Sequence, residues 1–280
     1  MTGSDAEERI VHESPGIRLG VFRCGPSDWR WREVNDIGDV AHVVFGQTSV
    51  VIQQEGDRER LCTPNNLIVY SPGQRYRRRL HDPAGDRSVF LALAPALTAE
   101  LGGLRAGVAP CDARSHAAVL LAARLAASPS ADAALAVEET LAAVLERARA
   151  ASGRGGGETA ARGHAELVEH TKLALCDDLQ SRLSLEQLGR RVGSSRFQLA
   201  RVFRAHTGFS IAAYRDQLRL RRALRRLGDP EIGLTELALE LGYSSHSHFT
   251  ARFRREFGLP PSALRDPGPA ALKQLQTSLR

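Results

Sequence analysis

Two stretches decide how this chain is read: ARVFRAHTGFS at 200–210 and ARFRREFGLPPS at 251–262. The second echoes the first, with Phe253 fifty residues after Phe203 and Gly258 fifty after Gly208. A further helical pattern precedes each, SLEQLGRRVGSS at 184–195 and LTELALELGYSS at 234–245. Each unit is thus a short amphipathic helix, a glycine-bearing turn and a second helix opened by serine, the layout of a helix-turn-helix. The segment Ser210–Leu227 joins the two units and is itself helical in pattern.

At 100° per residue the second helix of each unit separates into two faces. In the first unit Leu199, Val202, Phe203 and His206 form the expected core side, and Phe197, Arg201 and Arg204 point away, flanked by Arg196, Gln198 and Ala200. In the second unit Phe249, Phe253 and Phe257 face the core. Ser247, Ala251 and Arg254 oppose them, with Ser245, His246, His248 and Thr250 alongside. The outward sets match in register at 197/247, 201/251 and 204/254. These are the positions a recognition helix presents to a major groove. An arginine at 201 suits guanine O6 and N7, Gln198 suits adenine, and Phe197 suits a thymine methyl. Arg204 and Arg254, farther along, suit phosphate. With Ala251 in place of an arginine, the second unit relies on Ser247, His246 and Thr250, or on the shape of the duplex.

The charge distribution agrees. The whole chain of 280 residues carries a formal +6, but residues 164–280 hold 19 Lys and Arg against 12 Asp and Glu. Between Arg190 and Arg226 there are eleven arginines and one acid, Asp216. A basic segment joined to a near-neutral one is the footprint of a nucleic-acid module attached to something else. Arginine stands for lysine almost everywhere, with only Lys172 and Lys273 present, so part of that footprint is compositional.

Upstream the texture differs. IRLGVF (17–22), DVAHVVF (39–45), SVVIQQ (49–54), NLIVYS (66–71) and SVFLAL (88–93) are β-rich runs between turn clusters, as in an antiparallel barrel or sandwich. Residues 112–127 and 131–150 have helical spacing, including Leu135, Leu141, Val144, Leu145 and Ala148, and serve equally as a homodimer interface or as the lid on the first core. ASGRGGGETAARG (151–163) reads as a flexible linker, and the tail 267–280 as peripheral. The expected organisation is therefore α+β in two domains: 1–150 a β-barrel with flanking helices, 151–163 a linker, 164–266 an all-α double helix-turn-helix, and 267–280 a tail. The N-terminal residues have no apolar targeting core, and the apolar runs at 88–99 and 116–127 are too short or too interrupted to span a bilayer. The expectation is a cytoplasmic protein with no membrane partner. Cys24, Cys62, Cys111 and Cys176 lack CxxC spacing and read as reduced thiols.

The helical region resembles the C-terminal DNA-binding domain of the AraC family of bacterial transcription regulators. The resemblance runs from Ser184 to Arg265 and rests on Arg201-Val202-Phe203, Gly208-Phe209-Ser210, Tyr214, Arg219-Leu220, Glu236-Leu237-Ala238, Leu241-Gly242-Tyr243, Phe249, Arg252-Phe253-Arg254 and Pro260-Pro261. Gly189 stands where the family usually has alanine and would loosen its helix by about 1 kcal/mol. The resemblance implies two recognition helices in adjacent major grooves and contact with RNA polymerase at a promoter; activator and repressor both stay open, and the scattered cysteines and missing metal cluster leave no enzyme expected. The first half is similar, less specifically, to the cupin-like sensory domains of that family, through Asn65–Tyr76.

A metal-binding cupin needs an HxH and a glutamate with a later histidine; His42 and His81 are isolated, so no metal or other cofactor is expected. The barrel mouth remains a candidate site for a small-molecule effector, with Cys24, Glu33, Tyr70, Arg75, Tyr76 and His81 as candidate lining residues. Two other classes compete with a ligand-controlled regulator: an enzyme fused to a DNA-binding module, and a non-specific architectural DNA binder.

Overall fold

The computed structural model describes residues 5–102, 104–127, 131–153, 162–180, 183–229 and 231–279. The first half is built from strands β1 (Ala6–Ser14), β2 (Ile17–Cys24), β3 (Asn35–Asp36), β4 (Ala41–Gly46), β5 (Val50–Gln54), β6 (Arg60–Cys62), β7 (Asn66–Tyr70), β8 (Arg75–Leu80), β9 (Asp86–Leu93) and β10 (Gly107–Pro110), with helix α1 (Pro95–Leu101) before β10. All pairings are antiparallel. They form a sheet of order β1-β2-β9-β4-β7-β10 and a smaller one of order β3-β8-β5-β6.

Strand alternation gives the larger sheet two different faces. Val43 and Phe45 of β4, and Leu67 and Val69 of β7, pack in one core with helices α2 (Ala113–Leu125) and α3 (Ala131–Ser152). Their alternates, Val44, Ile68 and Tyr70, pack with Val50, Ile52 and Cys62 of the smaller sheet and line a cavity between the two sheets. The helix α2 is almost wholly buried: Ala117, Ala118 and Ala122 let it lie close to the sheet, and Val119 and Leu121 fill the remaining space. His116, in the same helix, has Nε2 2.9 Å from the carbonyl of Gly46. Burial pushes its pKa down to about 3, so the ring is neutral and Nε2 donates.

The helical stripe expected on α3 is present for Leu141, Val144, Leu145 and Ala148, all buried. Leu135 departs from it and is 61% exposed. The linker expected at 151–163 is shorter than the glycine-rich composition suggested, because Ala151 and Ser152 finish α3 and α4 (Arg162–Asp177) begins at Arg162. Residues 154–161 of that linker lie outside the described residues.

The helical half continues through α5 (Leu185–Arg191), α6 (Arg196–Thr207), α7 (Ile211–Arg226), α8 (Leu234–Glu240) and α9 (His246–Phe257), ending in α10 (Pro269–Thr277). Two cores meet along α7. Ile211, Tyr214 and Leu218 pack with Leu188, Leu199, Val202, Phe203 and with Val168 and Leu175 of α4. Leu220, Ala223, Leu224 and Leu227 pack with Leu237, Phe249, Phe253 and Phe257, in the core that includes α2 and α3. One amphipathic helix therefore supplies a wall to both helix-turn-helix units.

The tail is not peripheral. Leu272, Leu275 and Leu279 are buried against α2 and α3, and Gln276 Nε2 donates to Glu139 Oε2 at 3.1 Å. Truncating Leu272 to alanine removes a fully buried side chain from the core. A loss of about 2–5 kcal/mol is expected in urea unfolding, whereas a peripheral tail would give a change within about 0.5 kcal/mol.

Candidate nucleic-acid interface and effector cavity

The recognition helices are bounded by the same chemistry. Ser195 Oγ accepts from Gln198 N at 3.3 Å and Ser245 Oγ from His248 N at 3.1 Å, satisfying amides that the helix start leaves unpaired. At their C-termini Gly208 and Gly258 take φ of 76° and 77°, the left-handed cap that a side chain disfavours. Gly189 serves a different need. A Cβ there would stand 2.6 Å from the carbonyl oxygen of Ser194, so the glycine lets the turn close on α5 rather than loosening the helix.

Arg196, Phe197, Gln198, Arg201 and Arg204 on α6 are exposed, and Ala200 is half-buried at the flank. On α9 His246, Ser247, Ala251 and Arg254 are exposed with the cap residue Ser245, and Thr250 is half-buried. The two outward faces expected from the repeat are thus presented to solvent. Phe197, 74% exposed, carries the Arg196 guanidinium 4.8 Å above its ring. Thr250 Oγ1 lies 3.3 Å from His246 Nε2, which ties together two of the groups available to bases. His206 departs from the expected core stripe: its side is open to solvent, and its Nδ1 lies 2.8 Å from the carbonyl of Val202.

The arginine-rich run divides into two kinds. On α7, Arg215 and Arg219 donate to the carbonyls of Leu183 and Leu179, and Arg226 pairs with Glu240 at 2.7 Å. Asp216, the lone acid of the run, accepts from Arg252 of α9, through Nε at 3.0 Å, and from the hydroxyl of Tyr243, also at 3.0 Å. Arg215, Asp216, Arg219 and Arg226 of α7 therefore fasten the neighbouring elements, and Arg196, Arg201 and Arg204 stand as outward cations of α6.

The two halves meet at polar contacts made by α7 and α4. Arg221, 1% exposed, donates to the carbonyls of Pro64 and Cys111. The hydroxyls of Tyr214 and Thr63 are 2.8 Å apart, and Asn65 Nδ2 donates to the Tyr214 carbonyl at 3.2 Å. Glu169 of α4 accepts from the Leu61 amide at 2.7 Å. The turn at 63–65 has a second neighbour: Cys62, Thr63 and Asn66 line the cavity between the sheets.

That cavity has a volume of about 260 Å³. Of the six lining residues expected from sequence, Tyr70 and Tyr76 line it. Glu33 and Arg75 are exposed at the surface, and His81 lies toward α4, with Nε2 3.8 Å from Asp177. Cys24 is buried behind the wall, where burial raises its thiol pKa. Beyond those six, Asp86, His42 and Phe90 line the cavity, as does Arg78 from the Arg75–Arg79 run, which by sequence suits either an acidic ligand or a solvated face. The alternation of β8 carries the signal for Arg78, since it shares a face with Tyr76 and Leu80. Among the described residues, no group of three or more His, Cys, Asp and Glu is placed to hold a metal ion, and no helix is long and apolar enough to cross a membrane. Cys24, Cys62, Cys111 and Cys176 are free thiols.

Two helix-turn-helix units on a shared helix, each with an open recognition face, define a DNA-binding class of fold. Residues 188–266 match the family model described as a helix-turn-helix domain. The multiple antibiotic resistance protein MarA of Escherichia coli strain K12 is 32% identical over 89 residues, which are 32% of this chain and 70% of MarA. The HTH-type transcriptional activator RhaS of Escherichia fergusonii is 31% identical over 106 residues, 38% of this chain and 38% of RhaS. A solved transcriptional regulator of Chromobacterium violaceum, with an AraC-type DNA-binding domain, is 28% identical, covering 39% of this chain and 100% of its own, with a TM-score of 0.36. The chain belongs to the AraC family of transcription regulators. It spans little more than a third of the length of RhaS.

The contact between the halves is directly testable. In a double-mutant cycle, Thr63→Val and Tyr214→Phe are expected to couple by about 0.5–1.5 kcal/mol in unfolding free energy. Additivity would show that the 2.8 Å contact does not form in solution.

Proposed function

We propose that this protein is a sequence-specific DNA-binding regulator of transcription whose two recognition helices read half-sites about one duplex turn apart. A small effector held between the two sheets sets that activity. The observation that carries the reading is the pair of outward faces on α6 and α9, matched in register and left open when the β half is docked.

In this reading Arg201 takes a guanine edge, Gln198 an adenine and Phe197 a thymine methyl, with Arg204 and Arg254 on phosphates. Arg196 adds charge beside Phe197, and Ala200 and Ala251 permit close approach to the groove. Ser245, Ser247, His246 and Thr250 give the second unit its polar contacts. The effector acts through the 63–65 turn, which touches the cavity on one side and α7 on the other. An effector with different affinity for two positions of that turn shifts the balance between two settings of α7. The RhaS relative is a transcriptional activator, and we assign this chain the same sense, with RNA polymerase as protein partner, the cytoplasm as place of action and no catalytic role.

Selection of genomic fragments by the full-length protein at two salt concentrations tests the reading. A few enriched loci with paired half-sites are expected; uniform recovery that collapses with salt would favour an architectural binder. On a selected site Arg201→Ala is expected to lose about 1–3 kcal/mol and to relax one base position. Arg204→Ala is expected to weaken all sequences alike and to lower the salt slope by about 1.

A further inference from the structure

We propose that the effector is a small organic acid whose carboxylate is held by Arg78 and whose apolar, ring-sized body fills the cavity between the sheets. The inference rests on the effector reading above and names the chemistry of that site.

Arg78 projects from β8 into the space between the sheets with its side chain 3% exposed. Its guanidinium carbon lies over two rings, 5.0 Å from the Phe22 centroid and 4.6 Å from the Trp31 centroid. Nη1 donates to Asp86 Oδ2 at 3.3 Å. Nε and Nη2 are buried with no partner at full hydrogen-bond geometry, and the Cys24 thiol and the Tyr76 phenol make looser polar contacts with the guanidinium. Buried donors left unpaired are costly, and among the described residues Arg78 leaves two nitrogens so placed where Arg221, Arg225 and Arg265 each leave Nε alone. The Nε–Nη2 edge is the side of an arginine that receives a carboxylate through two parallel hydrogen bonds.

The charge around this edge favours an anion. Asp86 is the buried acid against Arg78, and burial raises its pKa more than Arg78 lowers it, which weakens it as a counter-ion. A guanidinium keeps its charge throughout the ordinary pH range, so Arg78 remains cationic. The other cavity carboxylates, Glu8 and Asp36, are exposed at the mouth, where water screens them. Arg30 is also at the wall, where Asp28 pairs with it at 3.2 Å. The phenols of Tyr70 and Tyr76, whose rings are 4.8 Å apart, are held neutral by burial.

Size and lining specify the rest of the ligand. The cavity, about 260 Å³, lies just below the ~300–1,000 Å³ common for small-molecule sites. Its apolar wall of Ile52, Ile68, Phe90 and the two tyrosines offers flat and branched surface to a single ring or a short chain. Such an acid would also lie against Cys62, Thr63 and Asn66, the residues from which the contact with α7 starts.

The test titrates the full-length protein with phenylacetate, its neutral isostere phenylacetamide and the cation phenethylamine. It follows tryptophan fluorescence, because Trp31 stacks on Arg78, together with calorimetry. Phenylacetate is expected to bind one per chain, at least tenfold tighter than the amide, with no saturable binding of the amine. Arg78→Gln should weaken phenylacetate at least tenfold without altering amide binding. Asp86→Asn, which removes the competing acid, should tighten phenylacetate severalfold and keeps the test open if Arg78→Gln does not fold. Equal affinity for acid and amide, preference for the amine, or no saturable binding of phenylacetate would each overturn the assignment. DNA binding by the same preparation, measured without the acid, reports separately on the regulator reading. Its loss there would fault that reading and leave the carboxylate result standing.

Discussion

The structure depends on what is done with one buried cation, Arg221. Taking a guanidinium out of water is costly, and it is tolerated when hydrogen bonds replace the lost hydration. Arg221 meets that condition through Nη1 and Nη2, which reach from the middle of α7 to two backbone carbonyls of the β half, at Pro64 and Cys111, while its Nε stays unpaired. Those carbonyls lie at one end of the β7–β10 pairing, just beyond the point where Asn66 pairs with Pro110. The cation thus ties a strand pair of one half to the central helix of the other. Tyr214 and Asn65 add neutral hydrogen bonds beside it, and their directionality leaves little freedom in how α7 can lie on that edge.

From α7 the constraint runs outward to both recognition helices. Its N-terminal half walls the first unit and its C-terminal half the second. Asp216 on α7 pairs with Arg252 on α9, so the second recognition helix is held by charge as well as by its phenylalanine stripe. The first unit has its own apolar core with α4, whereas the second shares its core with α2, α3 and α10. A displacement of the 63–65 turn would therefore act at the junction of two differently anchored units. In the proposed function this is the route by which an effector would act, through a contact that leaves the outward faces of α6 and α9 uncovered.

Much of this was legible in the amino-acid order. The two units announce themselves because their phenylalanines, serine caps and glycines recur at a near-constant offset, and a helix converts that offset into matched faces. The opposed Arg201 and Phe203 needed only the 100° rule. The cavity was less legible for a physical reason. In RYRRRL the charges mask the period-2 pattern, and only alternation with Tyr76 and Leu80 shows that Arg78 alone of these arginines turns inward. The roles of the α7 arginines were also hidden, because linear charge does not distinguish a cation facing DNA from one capping a carbonyl forty residues away, as Arg219 does at Leu179. Leu272, Leu275 and Leu279 stood at helical spacing, yet the surface they cover exists only after α2 and α3 have packed. Gly189 looked like a local weakness until the Ser194 carbonyl was placed against it.

The central claim is that α7, sixteen residues and about 24 Å long, holds the two recognition faces at a fixed separation. Affinity measured across a spacing series of one operator tests it most directly, with the half-sites moved apart one base pair at a time over a full turn. A rigid connection predicts a narrow optimum near one duplex turn, with affinity falling at least tenfold at half a turn of insertion. Equal affinity across all spacings would mean that the units move independently, and would contradict the account.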